Sequence, residues 1–380
     1  MKKQHNSKIF KTDELKTRIY EVLVKYKDPY LSTDLITANC VEELIINSCQ
    51  VVLNLKYNFL LGKYLSELIV KLRSMIEPII IGVTEEIGIK LNLEINCSNN
   101  VLTHGYKNGT AKIPNIKNII AVGSGKGGVG KSTVSVNLAL ALKEQGAKVG
   151  ILDADLYGPS LPHMLGCRNL AKIVNNKLQP HYIHGIYCIS IGHLLEPDSP
   201  VVWRGPMVSA GLLQLLNDTI WPELDYLIVD LPPGTGDIQL TLAQKIPVSG
   251  AVIVTTPQTI ALLDAQKALI MLQKLQINIL GVIENMSSFV CTNCNYTHNV
   301  FGTDGGNIMA EKYGVRLLGR IPLDLNVRKQ SDSGLPNILV SPDSFSSVAY
   351  NNIATTMAAE LSKLPIDLKL DPSNIILEQI

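Results

Sequence analysis

The stretch GSGKGGVGKST, residues 123–133, decides the fold. It overlaps the end of the apolar run NIIAVGS at 118–124, and a helical pattern begins directly after it. Residues 125–132 satisfy the pattern GxxxxGK[ST], in which glycines let backbone N–H groups face a phosphate at the start of a helix. A strand, a glycine-rich loop and a helix in this order predict a P-loop that binds a nucleotide.

Individual side chains of this loop have separate predicted roles. The Lys131 ammonium group is expected to reach the β- and γ-phosphates, and the Ser132 hydroxyl group is expected to bind Mg²⁺. The predicted nucleotide-binding residues of the loop are Gly125, Lys126, Gly127, Gly128, Val129, Gly130, Lys131, Ser132 and Thr133.

Further apolar runs alternate with helical patterns after the P-loop. The runs lie at 148–155, 224–234, 250–258 and 278–286. Continuous apolar strands that alternate with helices indicate a parallel sheet covered by helices on both faces. The predicted fold class is therefore α/β, a P-loop NTPase sheet flanked by helices, with ligands bound beyond the carboxyl ends of the strands.

A smaller α+β domain is expected to precede this sheet. Helical spacing at 13–26 and 62–76 encloses strand-like alternation at 40–58, and a second alternating stretch follows at 89–96. The predicted domains are a small α+β domain at 1–96, a linker at 97–116 rich in Asn, Gly and Thr, a P-loop domain at 117–365 and a C-terminal tail at 366–380.

Composition excludes several classes of protein. The 34 Lys and Arg residues balance 33 Asp and Glu residues, so the net charge of +1 indicates neither a nucleic-acid partner nor an anionic membrane surface. The basic N-terminus lacks the apolar run of a secretory signal, and we expect a cytosolic protein. Seven cysteines without regular spacing do not form a disulfide framework.

Carboxylates follow two of the predicted strands. Asp230 ends the run LIVD before PPGTGD, where a carboxylate can hold the Mg²⁺ shell through water. Asp153 and Asp155 end another strand in ILDADLYGPS, two residues apart and therefore on the same side of it. Two carboxylates beside a metal-bound triphosphate can divide the tasks of holding the metal shell and orienting the attacking water.

One CxxC pair, Cys291 and Cys294, lies in SFVCTNCNYTHNVFG at 288–302. A pair supplies two ligands, whereas structural zinc takes four. Zinc with His298 as a third ligand, a redox dithiol and a pair without metal are alternatives to ligands supplied by a second copy of the chain.

The motifs together closely resemble those of the Mrp/ApbC family of iron–sulfur cluster carrier ATPases. They are GSGKGGVGKST, LDADLYGPS, WRGPM at 203–207, VDLPPGTGD, TTPQ at 255–258, ENMS followed by CxxC, and GRIPLD at 319–324. Within them, GKGGVGKST resembles the deviant P-loop of the MinD/ParA and nitrogenase iron-protein class. The first domain resembles the small MIP18-like α+β domain that precedes the ATPase in many members.

The resemblance implies a homodimer and roles for single residues. Lys126 would reach across the dimer interface to the partner's nucleotide as a catalytic residue. Asp155 would be the catalytic residue that positions water, while Ser132, Asp153 and Asp230 would hold magnesium. Asn285, at the end of a strand, would read the adenine edge.

The resemblance also implies the function of the CxxC pair. Cys291 and Cys294 of two protomers would together bind one [4Fe–4S] cluster, which needs four thiolates. We therefore expect a slow ATP hydrolase that carries the cluster from scaffold or donor proteins to apo-proteins, with ATP and Mg²⁺ as further cofactors, and with neither nucleic acid nor membrane as a partner. The alternatives are a MinD/ParA-like positioning switch and an ATPase with structural zinc. The tail LKLDPSNIILEQI at 368–380 is not the basic amphipathic helix that a membrane-bound switch would use.

Overall fold

The computed structural model describes residues 2–47, 49–87, 90–106, 109–155, 158–194, 205–291 and 293–367. The chain divides into two compact units, Met1–Val101 and Leu102–Ile380. This division falls inside the predicted linker, but residues 97–99 belong to the last strand of the first unit, and Ile116 begins the first strand of the second. Of the predicted tail, Ile366 forms a bridge with His104, and residues 368–380 lie outside the described residues.

The first unit packs two helices with a three-stranded sheet. Its strands lie in the order β1-β2-β3, with β1 antiparallel and β3 parallel to β2. Both helices are longer than their predicted patterns: α1 begins before residue 13, and α2 continues past residue 76 through the buried Ile80 and Val83. The elements are α1 Lys2–Lys25, β1 Val41–Ile46, β2 Gln50–Tyr57, α2 Tyr64–Ile87 and β3 Asn92–Asn99.

The second unit alternates strands and helices around one large sheet. A 3₁₀ turn at Ile191–His193 follows β9. The elements are β4 Ile116–Ser124, α3 Lys131–Glu144, β5 Val149–Asp153, α4 Leu161–Met164, β6 Lys172–Val174, β7 Lys177–Gln179, β8 His181–Ile183, β9 Ile186–Ser190, α5 Gly205–Asp218, β10 Leu224–Asp230, α6 Asp237–Lys245, β11 Gly250–Thr255, α7 Thr259–Lys274, β12 Ile279–Val290, β13 Thr297–His298, α8 Gly305–Tyr313, β14 Leu317–Leu323, α9 Leu325–Asp332, α10 Asn337–Val340 and α11 Phe345–Ser362.

The large sheet has nine strands, in the order β13-β12-β11-β4-β10-β5-β9-β8, and β14 also pairs with β12. Its central pairings are parallel, so the prediction of an α/β fold with a parallel sheet is confirmed. Only β8 and β13 are antiparallel to their neighbours. These short edge strands carry too few residues to show a period in the sequence.

The carboxyl ends of the central strands gather polar side chains at one edge of the sheet. Every residue of β5 and β11 is buried, as expected for strands covered on both faces. Neighbouring strands end in Ser124, Asp153, Asp230 and Thr255, all of them buried. The P-loop leaves β4 at this edge, so the fold brings the predicted loop and the predicted carboxylates together.

Strand β12 is longer than the sequence pattern indicates. The predicted run ends at residue 286, but the strand continues to Val290 and ends beside Cys291. Its pairing with β14 shifts register between Asn285 and Phe289. None of the described helices combines the length and the apolar character that a membrane-spanning segment needs.

Candidate functional site

Close packing fixes the backbone of the P-loop at two glycines. Gly130 has a φ of 84° and precedes α3, and a Cβ atom there would lie 2.2 Å from Nδ2 of Asn285. A Cβ atom on Gly125 would lie 2.0 Å from the backbone of Asp264 in α7. Side chains are therefore excluded at both positions, and the loop passes closely between α7 and the end of β12.

Lys131 lies inside a group of oxygen atoms at the start of α3. Its Nζ atom is 2.9 Å from Oδ1 of Asp230 and 4.0 Å from Oδ2 of Asp155, and the side chain is only 6% exposed. Ser132 donates a 2.6 Å hydrogen bond from Oγ to Oδ2 of Asp230. The structure therefore brings together the lysine, the hydroxyl group and both kinds of predicted carboxylate.

Ser135 is a further member of this group that the sequence motif did not reveal. Its Oγ atom donates a 2.6 Å hydrogen bond to Oδ1 of Asp230. It lies one helical turn after Ser132, and residues three apart share a face of a helix, so this spacing was the available signal. Asp230 thus accepts hydrogen bonds from two hydroxyl groups and forms an ion pair with Lys131.

Asp153 is fully buried and anchored from three sides. It accepts hydrogen bonds from the backbone N–H groups of Asp155 (3.1 Å) and Leu161 (3.2 Å) and from Oγ of Ser190 (3.1 Å). Burial, with the negative charge of Asp230 nearby, raises the pKa of Asp153 to about 7. The role of Ser190 was missed because β9, which places it beside β5, shows no clear pattern in the sequence.

The donors at this edge fit a magnesium ion. They are oxygen atoms only, from the Ser132 hydroxyl group and the Asp153 and Asp230 carboxylates, and Mg²⁺ prefers such ligands. Burial is the larger cause of the raised pKa of Asp153 and the charge of Asp230 the smaller, and a bound divalent cation would offset both. Asp155 is half-buried, and its Oδ2 atom lies 4.0 Å from Nζ of Lys131.

The remaining predicted nucleotide-binding residues line the same loop. Asn285 is buried, and its Nδ2 atom donates a 2.8 Å hydrogen bond to the carbonyl oxygen of Val129. The Lys126 side chain is half-buried, and its carbonyl oxygen accepts a 3.0 Å hydrogen bond from Ser124. Gly127 and Gly128 are exposed. The structure therefore holds Asn285 against the P-loop at Val129 and Gly130.

Gln239 is a buried polar residue that the sequence motifs did not single out. It lies in α6, and a Cβ atom on Gly123 of β4 would be 3.4 Å from its Nε2 atom. Neither amide atom has a hydrogen-bond partner among the described residues. The side chain therefore keeps hydrogen-bonding capacity directly beneath the P-loop.

The CxxC pair lies on a short turn between β12 and β13. The Cys291 N–H group donates to the carbonyl oxygen of Tyr296 (3.0 Å), and the Asn295 N–H group donates to that of Cys291 (2.9 Å). Cys291 is half-buried and Cys294 is exposed. Hydrogen bonds to the Cys291 sulfur from the N–H groups of Asn293 and Cys294, and from the Cys294 thiol, lower the pKa of Cys291 and favour its thiolate form.

The surroundings of this pair do not supply the third ligand of a zinc site. His298 is exposed, and its ring lies 4.7 Å from that of Tyr296. Among the described residues, the ligand atoms of Cys291, Cys294 and His298 do not all three lie within 4.8 Å of one another. A cavity of about 370 Å³ beside Cys291 is lined by apolar residues together with Lys329 and Asp324.

Comparisons with known proteins agree on one family. The ParA family model, described as NUBPL iron-transfer P-loop NTPase, matches residues 115–358. An iron-sulfur cluster carrier protein of Haemophilus influenzae is 42% identical over 92% of this chain and 93% of its own. The iron-sulfur cluster carrier protein of Escherichia coli K12 is 51% identical over 70% of this chain and 72% of its own.

A solved structure shares the fold of the second unit. A nucleotide-binding protein of Archaeoglobus fulgidus, in complex with ADP, is 41% identical to this chain. The match covers 58% of this chain and 87% of that one, with a TM-score of 0.53.

Proposed function

Since this chain belongs to the family of NUBPL iron-transfer P-loop NTPases, we propose that it hydrolyses ATP and carries an iron–sulfur cluster to apo-proteins. One observation carries the proposal beyond family membership. The same sheet presents a closely packed phosphate loop and, at the end of β12, a CxxC pair in which hydrogen bonds favour the Cys291 thiolate. A chain with both features has a site for ATP and two ligands for iron.

The nucleotide site works through positioned charges. The Lys131 ammonium group binds the β- and γ-phosphates, and the backbone N–H groups of residues 125–133 surround them. Ser132, Asp153 and Asp230 hold Mg²⁺, which neutralises charge on the phosphate oxygens when it is bound. Binding would draw Lys131 away from Asp230 and leave that carboxylate to the metal shell.

Three further residues complete the proposed ATPase. Asp155, half-buried beside Lys131, orients the attacking water. Lys126 reaches the nucleotide of a partner subunit, which its partly exposed position on the loop permits. Asn285 exchanges its bond to Val129 for the adenine edge.

The cluster is proposed to lie between two copies of this chain. Each copy provides Cys291 and Cys294, and two copies supply the four thiolates of a [4Fe–4S] cluster. Backbone N–H groups that already point at the Cys291 sulfur would stabilise the bound thiolate. The exposed loop would let a recipient approach the cluster directly.

The partners we propose are scaffold or donor proteins and apo-protein recipients, in the cytoplasm. The proposed partners follow from the names of the relatives. The proposed compartment follows from the predicted absence of a disulfide framework. The positioning-switch alternative gains no support from the described residues, and the tail on which it would depend lies outside them.

Mixed dimers test the shared cluster. Wild-type chains are combined with chains that carry both Cys291→Ser and Cys294→Ser, and iron is measured after anaerobic reconstitution. We expect close to four iron atoms per wild-type dimer and almost none in mixed dimers, because only two thiolates remain. One zinc ion per chain, present in mixed dimers at half occupancy, would contradict the proposal and indicate a site within one chain.

A further inference from the structure

A second group of soft ligand atoms lies inside the second unit, apart from the CxxC loop. The sulfur atoms of Cys167 and Cys188 and a ring nitrogen of His193 all lie within 4.8 Å of one another, and all three residues are buried. This is the one group of its kind among the residues that the structure describes. The ATPase and the cluster site, as described above, use none of these side chains.

Three separate segments bring the group together. Cys167 follows α4, and its N–H group donates to the carbonyl oxygen of Pro162 at 2.9 Å. Cys188 lies in β9, where it pairs with Ile151 of β5 on one side. His193 ends the 3₁₀ turn that follows β9. Regular structure therefore anchors each ligand.

The spacing of the atoms approaches that of a tetrahedral metal site. Zinc–sulfur bonds of about 2.3 Å and zinc–nitrogen bonds of about 2.0–2.1 Å place the ligand atoms of a tetrahedron roughly 3.6 Å apart. Sγ of Cys167 lies 3.6 Å from Nε2 of His193. A contraction of at most about 1.2 Å between the remaining pairs would complete three corners of the tetrahedron.

His181 lies beside these three residues and is the candidate for the fourth corner, although its ring nitrogens are not within 4.8 Å of all three ligand atoms and would have to move closer. It lies directly opposite Cys188 in the β8–β9 pair, and residues that face each other across two strands lie on the same side of a sheet. Its ring centroid is 4.3 Å from that of His193. The Nε2 atom is buried without a hydrogen-bond partner among the described residues, whereas the other side of the ring bonds to the backbone of Asn169. Metal-binding histidines typically have this arrangement, with one nitrogen bonded to a carbonyl group and the other left for the ion.

The two thiols contact each other inside the second unit. The Cys188 thiol is hydrogen-bonded to the Cys167 sulfur, and both residues are buried together with His193. A thiolate is the form of cysteine that binds metal, so binding a divalent ion would release the thiol protons of both cysteines.

We propose that Cys167, Cys188, His193 and His181 form an internal site for a thiophilic divalent ion of the zinc class. Two thiolates and two imidazoles are a ligand set of structural zinc. His193 now accepts a 3.1 Å hydrogen bond at Nδ1 from the Ser190 N–H group and donates from Nε2 to the carbonyl oxygen of Cys167 at 2.8 Å. Binding of an ion at Nε2 would break the bond to the Cys167 carbonyl oxygen and move the ring proton to Nδ1, so the His193 ring would have to turn away from the Ser190 N–H group.

Cobalt is the probe that tests this site, in a full chain with Cys291→Ser and Cys294→Ser so that the CxxC loop adds no thiolate. We expect one Co²⁺ per chain and the near-ultraviolet absorbance of sulfur-to-cobalt charge transfer, displaced by Zn²⁺. Adding Cys167→Ser or Cys188→Ser should remove most of that absorbance. Adding His181→Asn or His193→Asn should weaken binding by at least about 10-fold, a loss typical of changes around metal sites.

Cys40→Ser is the matched control, because Cys40 is also a buried free cysteine but belongs to the first unit. It should leave cobalt binding unchanged. Zn²⁺ should also raise the Tm of the chain that retains Cys167 and Cys188, since a ligand that binds only the folded state stabilises it. The proposal is wrong if that chain gains neither charge-transfer absorbance nor thermal stability, or if Cys167→Ser leaves both intact. Iron loading of chains with an intact CxxC pair is a separate measurement, so either proposal can fail alone.

Discussion

The two loops of the proposed function differ in how much of each site one chain completes. In the P-loop, Lys131 and Ser132 already contact Asp230, and glycines at 125 and 130 let neighbouring elements pack against the loop. The CxxC turn is exposed and held by two backbone hydrogen bonds near Cys291. A site that binds a small molecule can be formed in advance, whereas a site that must meet another protein has to remain accessible.

This difference has a physical origin in burial. The buried carboxylates near Lys131 would be unstable without partners, so their contacts are made within the chain. The Cys294 thiol is exposed and the Cys291 thiol is only half-buried, so water can solvate them without partners from the core. The loop that looks less complete is therefore the one whose completion is proposed to come from a second chain.

The largest expected effect concerns the CxxC pair, the site that one chain leaves incomplete. Cys291→Ser or Cys294→Ser in every chain should remove nearly all bound iron from reconstituted protein, because a dimer keeps two thiolates of four. Iron analysis and visible absorbance measure the loss. Cys49→Ser, which changes an exposed cysteine of the first unit, should retain full iron content. Equal loss in that control would indicate nonspecific iron.

The next effect concerns the P-loop, the site whose contacts one chain already makes. Lys131→Ala should weaken ATP binding by roughly 100-fold or more, because it removes charge-assisted hydrogen bonds worth about 1.5–3 kcal/mol each. Calorimetric titration with ATP and Mg²⁺ measures the change, and iron loading should persist. Lys126→Ala is the comparison: it should bind ATP far better than Lys131→Ala, yet lose hydrolysis. Normal ATP affinity in Lys131→Ala would refute the site.

A third variant separates binding from hydrolysis within the nucleotide site. Asp155→Ala should keep ATP and Mg²⁺ affinity but reduce steady-state hydrolysis by about 100-fold, the scale of losing one transition-state contact. Phosphate release measures the rate. Asp343→Ala, a change at an exposed carboxylate, should leave it unaltered. If Asp155→Ala loses Mg²⁺ affinity instead, Asp155 belongs to the metal shell.

The smallest expected effect is a pH dependence of folding stability that arises at His104, outside both loops. Burial lowers the pKa of His104, and its Nε2 atom has no partner among the described residues. The unfolded chain therefore takes up this proton first, so folding stability holds above pH about 6.5 and falls as the pH drops below it. Urea unfolding at pH 8 and pH 5.5 should show the loss, and His104→Gln should reduce it. If His104→Gln loses as much folding stability between pH 8 and pH 5.5 as the wild type, another group causes the pH dependence.

The residues that the sequence assigns to the nucleotide site could be expected to lie together, because they belong to one motif and to the ends of neighbouring strands. Lys131 and Ser132 belong to one motif, and Asp153 and Asp230 end apolar strands whose carboxyl ends must meet in a parallel sheet. These placements agree with the structure, while their roles remain proposals. Ser135 escaped notice because an ordinary serine in a helix carries no signal of its own.

The cluster around Cys167 could not be predicted in the same way. Cys167, Cys188 and His193 come from three segments without a metal-binding spacing, and they meet only because β9 lies beside β5. On its own, a buried free cysteine such as Cys167 or Cys188 has the character of a small apolar residue. Long-range pairing, which a single sequence does not display, created the cluster.

Strand β12 connects the two proposed sites. Asn285 touches the P-loop, and Cys291 follows six residues later, at most about 20 Å away in an extended strand. Within one chain, this strand is therefore a short covalent connection between the proposed nucleotide and iron sites, along which a change at one site can reach the other. The break in its register after Asn285, with Met286 at a φ of 55°, is where such a change would be absorbed or passed on.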